Sequence, residues 1–195
     1  MTDKFAQYKK VFLEENSKHN LISKNDEKFL YEKHIFDSLS IGKFFEKYGI
    51  TSARILDIGC GGGFPCVPVA VEFPEMKITG IDSIRKKINS VIAIKEQLNL
   101  DNLDLICDRA ENVDGKFDIV MSRAVADLAK ISEYALPLTK KGGYFVAYKS
   151  KKALEELENA KSVLKKFNAE VIDIIEYNLP LEEVYERNLI CIKKL

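Results

Sequence analysis

Cysteine and histidine are scarce in this chain: four cysteines (Cys60, Cys66, Cys107, Cys191) and two histidines in 195 residues. No two cysteines form a C-x-x-C pair, and two histidines are too few for a Cys/His zinc site, so no metal is expected. The cysteines read as small apolar residues in a reducing compartment. Long apolar runs are missing too, and no apolar stretch follows the charged start Met1-Thr2-Asp3-Lys4. Neither a membrane span nor a secretory leader is expected, which makes the cytoplasm the expected address. Excess charge is the third absence: 30 Lys and Arg balance 30 Asp and Glu. That balance argues against a general nucleic-acid coat but allows local basic faces at Arg85-Lys86-Lys87, Lys140-Lys141 and Lys149-Ser150-Lys151-Lys152. Runs of this kind are most often solvated surface. There is no internal repeat, low-complexity segment or interdomain linker, and the length suits a single domain, 1–195, with a full core.

The apolar pattern divides the chain in two. Residues 3 to 15 have helical spacing (Phe5, Tyr8, Phe12), with a break expected around Asn16 to Asn20. A second helix is predicted after Asn25-Asp26, one of which would be its N-cap. Phe29, Leu30, Ile35 and Phe36, then Leu39, Ile41, Phe44 and Phe45, suggest one continuing buried stripe. Residues 1–50 thus read as a helical cap on an α/β core at 53–195. In the core, strands are predicted at 53–58, 77–82, 103–107, 117–121, 143–149, 169–177 and 187–193. Helices are predicted at 65–73, 84–98, 126–136 and 151–167. The first four strands are short apolar runs, as in parallel sheets covered on both faces. The last two leave no room for a crossover helix and should pair antiparallel.

The richest stretch is Arg54-Ile55-Leu56-Asp57-Ile58-Gly59-Cys60-Gly61-Gly62-Gly63-Phe64-Pro65. It reads as a buried strand entering a glycine-rich turn, with Asp57 at the strand end. Such turns bind ligands at the carboxyl edge of open α/β sheets. A dinucleotide fingerprint would need glycine at Phe64, and a P-loop would need Gly-Lys-Ser/Thr, so both readings fail. What remains is Asp-x-Gly-x-Gly followed by a second strand-end carboxylate, Asp82, suited to ribose hydroxyls. Together these features resemble the S-adenosylmethionine (SAM) site of Rossmann-like methyltransferases, with a seven-stranded sheet. The plain alternative is an ordinary tight βα connection. Later strand ends add Arg109, Arg123 and Lys149 to the same crevice. A lone strand-end arginine is commonly a salt-bridge partner, whereas three converging cations suit an anionic substrate.

Further segments are Asn20-Leu21, His34-Ile35-Phe36-Asp37-Ser38-Leu39, Arg109-Ala110-Glu111 and Ser122-Arg123-Ala124. With the glycine turn and its Gly-Phe-Pro continuation, they make the chain closely similar, over nearly its whole length, to the bacterial small-subunit ribosomal RNA guanine-N7 methyltransferases (RsmG, also called glucose-inhibited division protein B). Two departures are visible: Cys66 stands where a smaller residue is usual, and the C-terminus is short, so fewer RNA contacts are expected there.

The resemblance implies methyl transfer from SAM to N7 of one guanine, nucleotide 527 of 16S rRNA. It implies cofactor contacts from Gly59, Phe64, Ala110, Glu111 and Arg123. Asp57, Gly61, Gly63 and Asp82 complete the expected SAM site from the motif itself. Arg123 is also the candidate catalytic residue. Arg109, Arg123 and Lys149 are the candidates for holding RNA, with His34, Asp37 and Asn20 as further ones. His34 and Asp37 lie three apart on one helix face and either brace the cap or shape the cleft. Asn20 either joins the site or makes a turn. The expected partner is 16S rRNA or the small subunit, with the enzyme a monomer. Two other readings stay open: a SAM-dependent enzyme acting on another RNA, a small molecule or a protein, and a non-catalytic ribosome-assembly factor.

Overall fold

The computed structural model describes residues 3–151 and 153–195. Met1, Thr2 and Lys152, the last residue of one basic run, lie outside the described residues. Five strands are parallel: β1 (Arg54–Ile58), β2 (Lys77–Ile81), β3 (Leu103–Ile106), β4 (Phe117–Arg123) and β5 (Thr139–Ser150). The last two, β6 (Ala169–Asn178) and β7 (Glu186–Lys194), form an antiparallel hairpin whose β7 also pairs antiparallel with β5. The order is β3-β2-β1-β4-β5-β7-β6, the seven-stranded arrangement expected from the sequence.

Successive residues of a strand point to opposite faces, and here each face has its own apolar layer. Ile55, Ile78, Ile119, Met121 and Val146 pack with the N-terminal helices, α5 (Cys66–Glu72) and α6 (Arg85–Leu98). Leu56, Ile58, Val120, Phe145 and Ala147 pack with α7 (Leu128–Leu138) and α8 (Ala153–Lys166). Asp127 starts α7 by accepting the Lys130 N–H at 2.9 Å, satisfying a donor that the helix leaves free.

The N-terminal part departs from expectation in three places. Helix α1 (Asp3–His19) continues through the predicted break, because Asn16 is buried and bonded at both ends of its amide. Its Nδ2 donates to Glu27 Oε1 at 2.7 Å and its Oδ1 accepts the Ile22 N–H at 2.8 Å. The cap of the next helix, α2 (Lys24–Glu27), is Ser23 rather than Asn25 or Asp26; Ser23 Oγ accepts the Asp26 N–H at 3.2 Å. The apolar stripe is not one regular helix. It divides into a π-helical segment (Leu30–Phe36), α3 (Asp37–Leu39) and α4 (Ile41–Lys47). Phe12 of α1 packs its ring 5.1 Å from that of Phe64, which seats the cap on the glycine turn. Among the described residues no helix is long and apolar enough to cross a membrane.

Candidate active site

Strand order reverses between β1 and β4, and a ligand crevice is expected outside the carboxyl ends of those strands. A cavity of about 630 Å³ opens there, within the usual range for small-molecule sites. The turn after β1 forms its floor. Gly59 and Cys60 donate their N–H groups to the Ile81 carbonyl at 2.8 and 3.0 Å, tying the turn to β2. Gly59 has φ +72°, and a Cβ there would lie 2.5 Å from Val125 Cγ2, so only glycine fits. At Gly61, with φ +54°, the nearest atom to such a Cβ is the Gly59 carbonyl oxygen at 3.9 Å; the missing side chain leaves open room at the cavity floor. Asp82 holds the turn in place, its Oδ2 accepting the Gly61 N–H at 2.9 Å and its Oδ1 the Ile84 N–H at 2.8 Å.

Phe64, Asp82, Ala110, Glu111, Arg109 and Arg123 all line this cavity with Gly59 and Gly61. Ala110 and Glu111 do so from a 3₁₀ turn (Ala110–Asn112) after β3. Arg109 is exposed at the rim. Ile84 and Val125, 48% and 45% exposed, add apolar surface that sequence reasoning missed.

Four expected residues sit elsewhere. Asp57 is fully buried beneath the turn: its Oδ2 accepts the Cys66 N–H at 3.0 Å, and its Oδ1 has no partner among the described residues. Burial pushes its carboxyl up to about 7, since a charge there would be poorly solvated. It therefore braces strand against helix and does not line the cavity. Gly63 faces Val67 and Val91 and packs the turn onto its helices. Asn20, exposed and in the left-handed region at φ +48°, ends α1; it makes a turn and is not among the residues lining this cavity. Lys149 is already engaged: its Nζ donates to the Ala126 carbonyl at 2.6 Å and lies 2.6 Å from Glu156 Oε2.

Arg123 is the junction of the site. Its Nη1 lies 2.9 Å from Asp37 Oδ2 and donates to the Lys33 carbonyl at 3.2 Å, while its guanidinium stacks 5.1 Å above the Phe64 ring. Its Nη2 is 3.2 Å from His34 Nδ1. Arginine only donates, so Nδ1 accepts and the imidazole proton is assigned to Nε2, a buried atom without a partner among the described residues. Burial, and then the Arg123 charge, hold His34 down to about 4, so it is neutral at neutral pH. Asp37 Oδ1 in turn accepts the Tyr177 hydroxyl at 2.7 Å, with Arg187 Nε at 3.9 Å. His34 and Asp37 thus brace Arg123. Tyr177 and Arg187 complete this network from the hairpin, and nothing in their local sequence marks them.

A second cavity of about 410 Å³ adjoins the first and shares His34, Arg123 and Ala124 with it. Ala124, at φ +56°, occupies the left-handed region without being glycine, a strained conformation of the kind found at functional loops.

The family description "rRNA small subunit methyltransferase G" matches residues 1–188. The chain belongs to that family. A curated relative from Staphylococcus saprophyticus, named ribosomal RNA small subunit methyltransferase G, is 41% identical over 97% of this chain and 80% of its own length. A relative of the same name from Acetivibrio thermocellus is 39% identical over 98% of this chain and 80% of its own length. Among solved structures, TYW2 of P. horikoshii in complex with MeSAdo superposes with a TM-score of 0.64 at 15% identity, over 83% of this chain and 63% of that one. Magnesium protoporphyrin IX methyltransferase from Synechocystis, with bound SAM, gives 0.63 at 16% identity, over 82% of this chain and 79% of that one. These two show the fold. As a member of the methyltransferase G family, the chain is a SAM-dependent rRNA methyltransferase.

Proposed function

We propose that this enzyme transfers the methyl group of SAM to N7 of a single guanine of 16S rRNA, nucleotide 527, working as a cytoplasmic monomer of one domain and without a metal. The observation that carries the reading is the pair of adjoining cavities with Arg123 at their shared wall. One has the features of a methyl-donor site, and the other stands where an acceptor would meet it.

The residues present suit SAM, whose sulfonium supplies an electrophilic methyl group when bound. Asp82 keeps carboxylate lone pairs for ribose hydroxyls at the end of β2. Ile84 and Val125 offer apolar surface to the adenine, beside Ala110 and Glu111. Gly59, Gly61 and Phe64 form the floor, and Arg123 faces the methionine end.

Guanine N7 carries an in-plane lone pair that is free at neutral pH, so no general base has to create a nucleophile. Alignment of acceptor, methyl carbon and leaving sulfur then carries the catalysis, an orientation effect that can contribute roughly 7–11 kcal/mol. Arg123 can supply that orientation, because Asp37, His34, the Lys33 carbonyl and Phe64 fix its guanidinium. A guanidinium can donate to guanine O6 or to a flanking phosphate. His34, neutral and accepting from Arg123, leaves the arginine as the cation at this wall. Arg109 at the rim supports the reading by offering charge to the RNA backbone.

The test is incubation of the protein with methyl-labelled SAM and small subunits from cells lacking this modification, followed by digestion to nucleosides. Label in N7-methylguanosine is expected. Label confined to another nucleoside, or to protein, refutes the proposal.

A further inference from the structure

The lining of the second cavity also contains Lys149, at the end of β5 next to Tyr148, the register partner of Arg123, and Glu156 in α8. Glu156 Oε2 accepts from Lys149 Nζ at 2.6 Å and from the Leu128 N–H at 2.7 Å. Its Oε1 has no hydrogen-bond partner among the described residues. Lys149 has three N–H groups, of which the Ala126 carbonyl and Glu156 take two. The side chains are 10% and 22% exposed, so the pair is held against the protein. Two residues lining this cavity therefore keep one N–H donor and one carboxylate oxygen without a partner among the described residues, both on a fixed frame.

We propose that this cavity receives the acceptor base itself, turned out of the RNA, and that the Lys149–Glu156 pair reads it as guanine. The inference rests on the guanine-methylation reading above and adds the residues that select the base. Guanine places the O6 acceptor beside the N1–H and N2–H donors, which matches a lysine N–H beside a carboxylate oxygen, Glu156 Oε1, whose two lone pairs can take N1–H and N2–H together. Adenine reverses that order, with an amino donor at C6 and a lone pair at N1, and would set donor against donor and lone pair against carboxylate. Selection of guanine thus includes a penalty against the other purine. With O6 on Lys149, N7 lies on the other side of O6, toward Arg123 and the cofactor cavity. Enzymes acting on a base commonly extrude it into such a pocket and read its Watson–Crick edge by hydrogen bonds. Lys149 then holds the base instead of a phosphate.

The experiment compares guanosine with inosine, which lacks only the N2 amino group, at the target nucleotide of reconstituted small subunits. The wild-type enzyme should prefer guanosine by roughly tenfold in kcat/KM, the scale of one hydrogen bond to a charged acceptor. Glu156→Ala should bring the ratio to about one, with SAM affinity by calorimetry unchanged. Glu156→Gln keeps an amide oxygen for Lys149 and Leu128, which guards against misfolding, yet turns an NH₂ toward the base. It should lose activity on guanosine while melting normally. An unchanged guanosine-to-inosine ratio in folded Glu156→Ala protein would overturn the proposal. So would a loss of SAM affinity in either variant, which would assign the cavity to the methyl donor. If the wild-type enzyme makes no N7-methylguanosine at all, the fault lies with the methylation reading, and the base assignment falls with it.

Discussion

Replacing Arg123 by alanine removes a cation from a network where it holds four groups at once. The guanidinium is 2.9 Å from Asp37 Oδ2, donates to the Lys33 carbonyl and faces His34 Nδ1 at 3.2 Å each, and stacks over Phe64. Its side chain is 14% exposed and that of Asp37 only 6%, so water replaces little of what is lost. Breaking a buried pair from one side costs about 3–5 kcal/mol. Asp37 keeps the Tyr177 hydroxyl and has Arg187 at 3.9 Å, which points to the lower end, ~3 kcal/mol. For a domain of this size the melting temperature should fall by roughly 6–12 °C. Methyl transfer, measured in single turnover well below the new melting point, should fall by about two orders of magnitude or more. Arg123→Lys should recover part of the stability but little activity, because an ammonium cannot reproduce the planar fork. His34 supplies an independent readout. With the neighbouring cation gone, its NMR titration should move up from about 4, although burial alone still holds it low. An unchanged melting point would show that the Asp37 pair contributes no net stability. A large melting drop with normal low-temperature activity would make Arg123 a brace and nothing more.

Three further outcomes are expected. Gly61→Ala places a Cβ at the floor of the cofactor cavity and forces a left-handed alanine, a strain of roughly 1–2 kcal/mol; SAM affinity by calorimetry should fall at least about tenfold, and unaltered affinity would move the cofactor off this turn. Asp57, pushed up to about 7 by burial, keeps its proton in the fold after the unfolded chain has released it, so its contribution to stability is complete below the ordinary carboxylate range and is lost as pH rises to about 7. The wild-type denaturant midpoint should accordingly fall relative to that of Asp57→Asn between about pH 4 and pH 7, and parallel curves would contradict the assigned burial. Arg109 is exposed, while Lys149 is neutralised by Glu156, so Arg109→Ala should flatten the salt dependence of subunit binding by about one counterion and Lys149→Ala should leave it unchanged; the reverse would restore Lys149 as the phosphate contact.

The core was legible because its signals are local. Short apolar runs such as Ile78 to Ile81 bound the strands, and the glycines after Ile58 leave the chain little alternative to a turn. The absence of a crossover between Tyr177 and Arg187 left only a hairpin. The buried place of Asp57 was also written in the strand period: it lies two residues from Ile55, on the same face, which is the face covered by α5. The N-terminal cap was harder to read. Ser23 and Asn25 are both good N-caps, and the choice is made by the tertiary bonds of Asn16. Apolar spacing at 29–36 does not distinguish an α-helix from the wider π-helical turn. Least legible were the pairings. Asp37 meets Arg123 across 86 residues of chain and Tyr177 across 140. The sequence supplied the residue types, and only the closed sheet brought them together. Lys149 shows the converse, since its placement at a strand end was foreseen while its capture by Glu156 of the following helix was not.

The expected product is a single methyl group on one guanine N7. N7-methylguanosine is cleavable after borohydride reduction and aniline treatment, so strand scission mapped by primer extension locates it directly. Small subunits lacking the modification, incubated with this protein and SAM, should give one new cleavage in 16S rRNA, at nucleotide 527, that disappears with Arg123→Ala. Cleavage at another guanine, at several guanines, or none in subunits that have nonetheless taken up methyl label would refute methylation of this single N7.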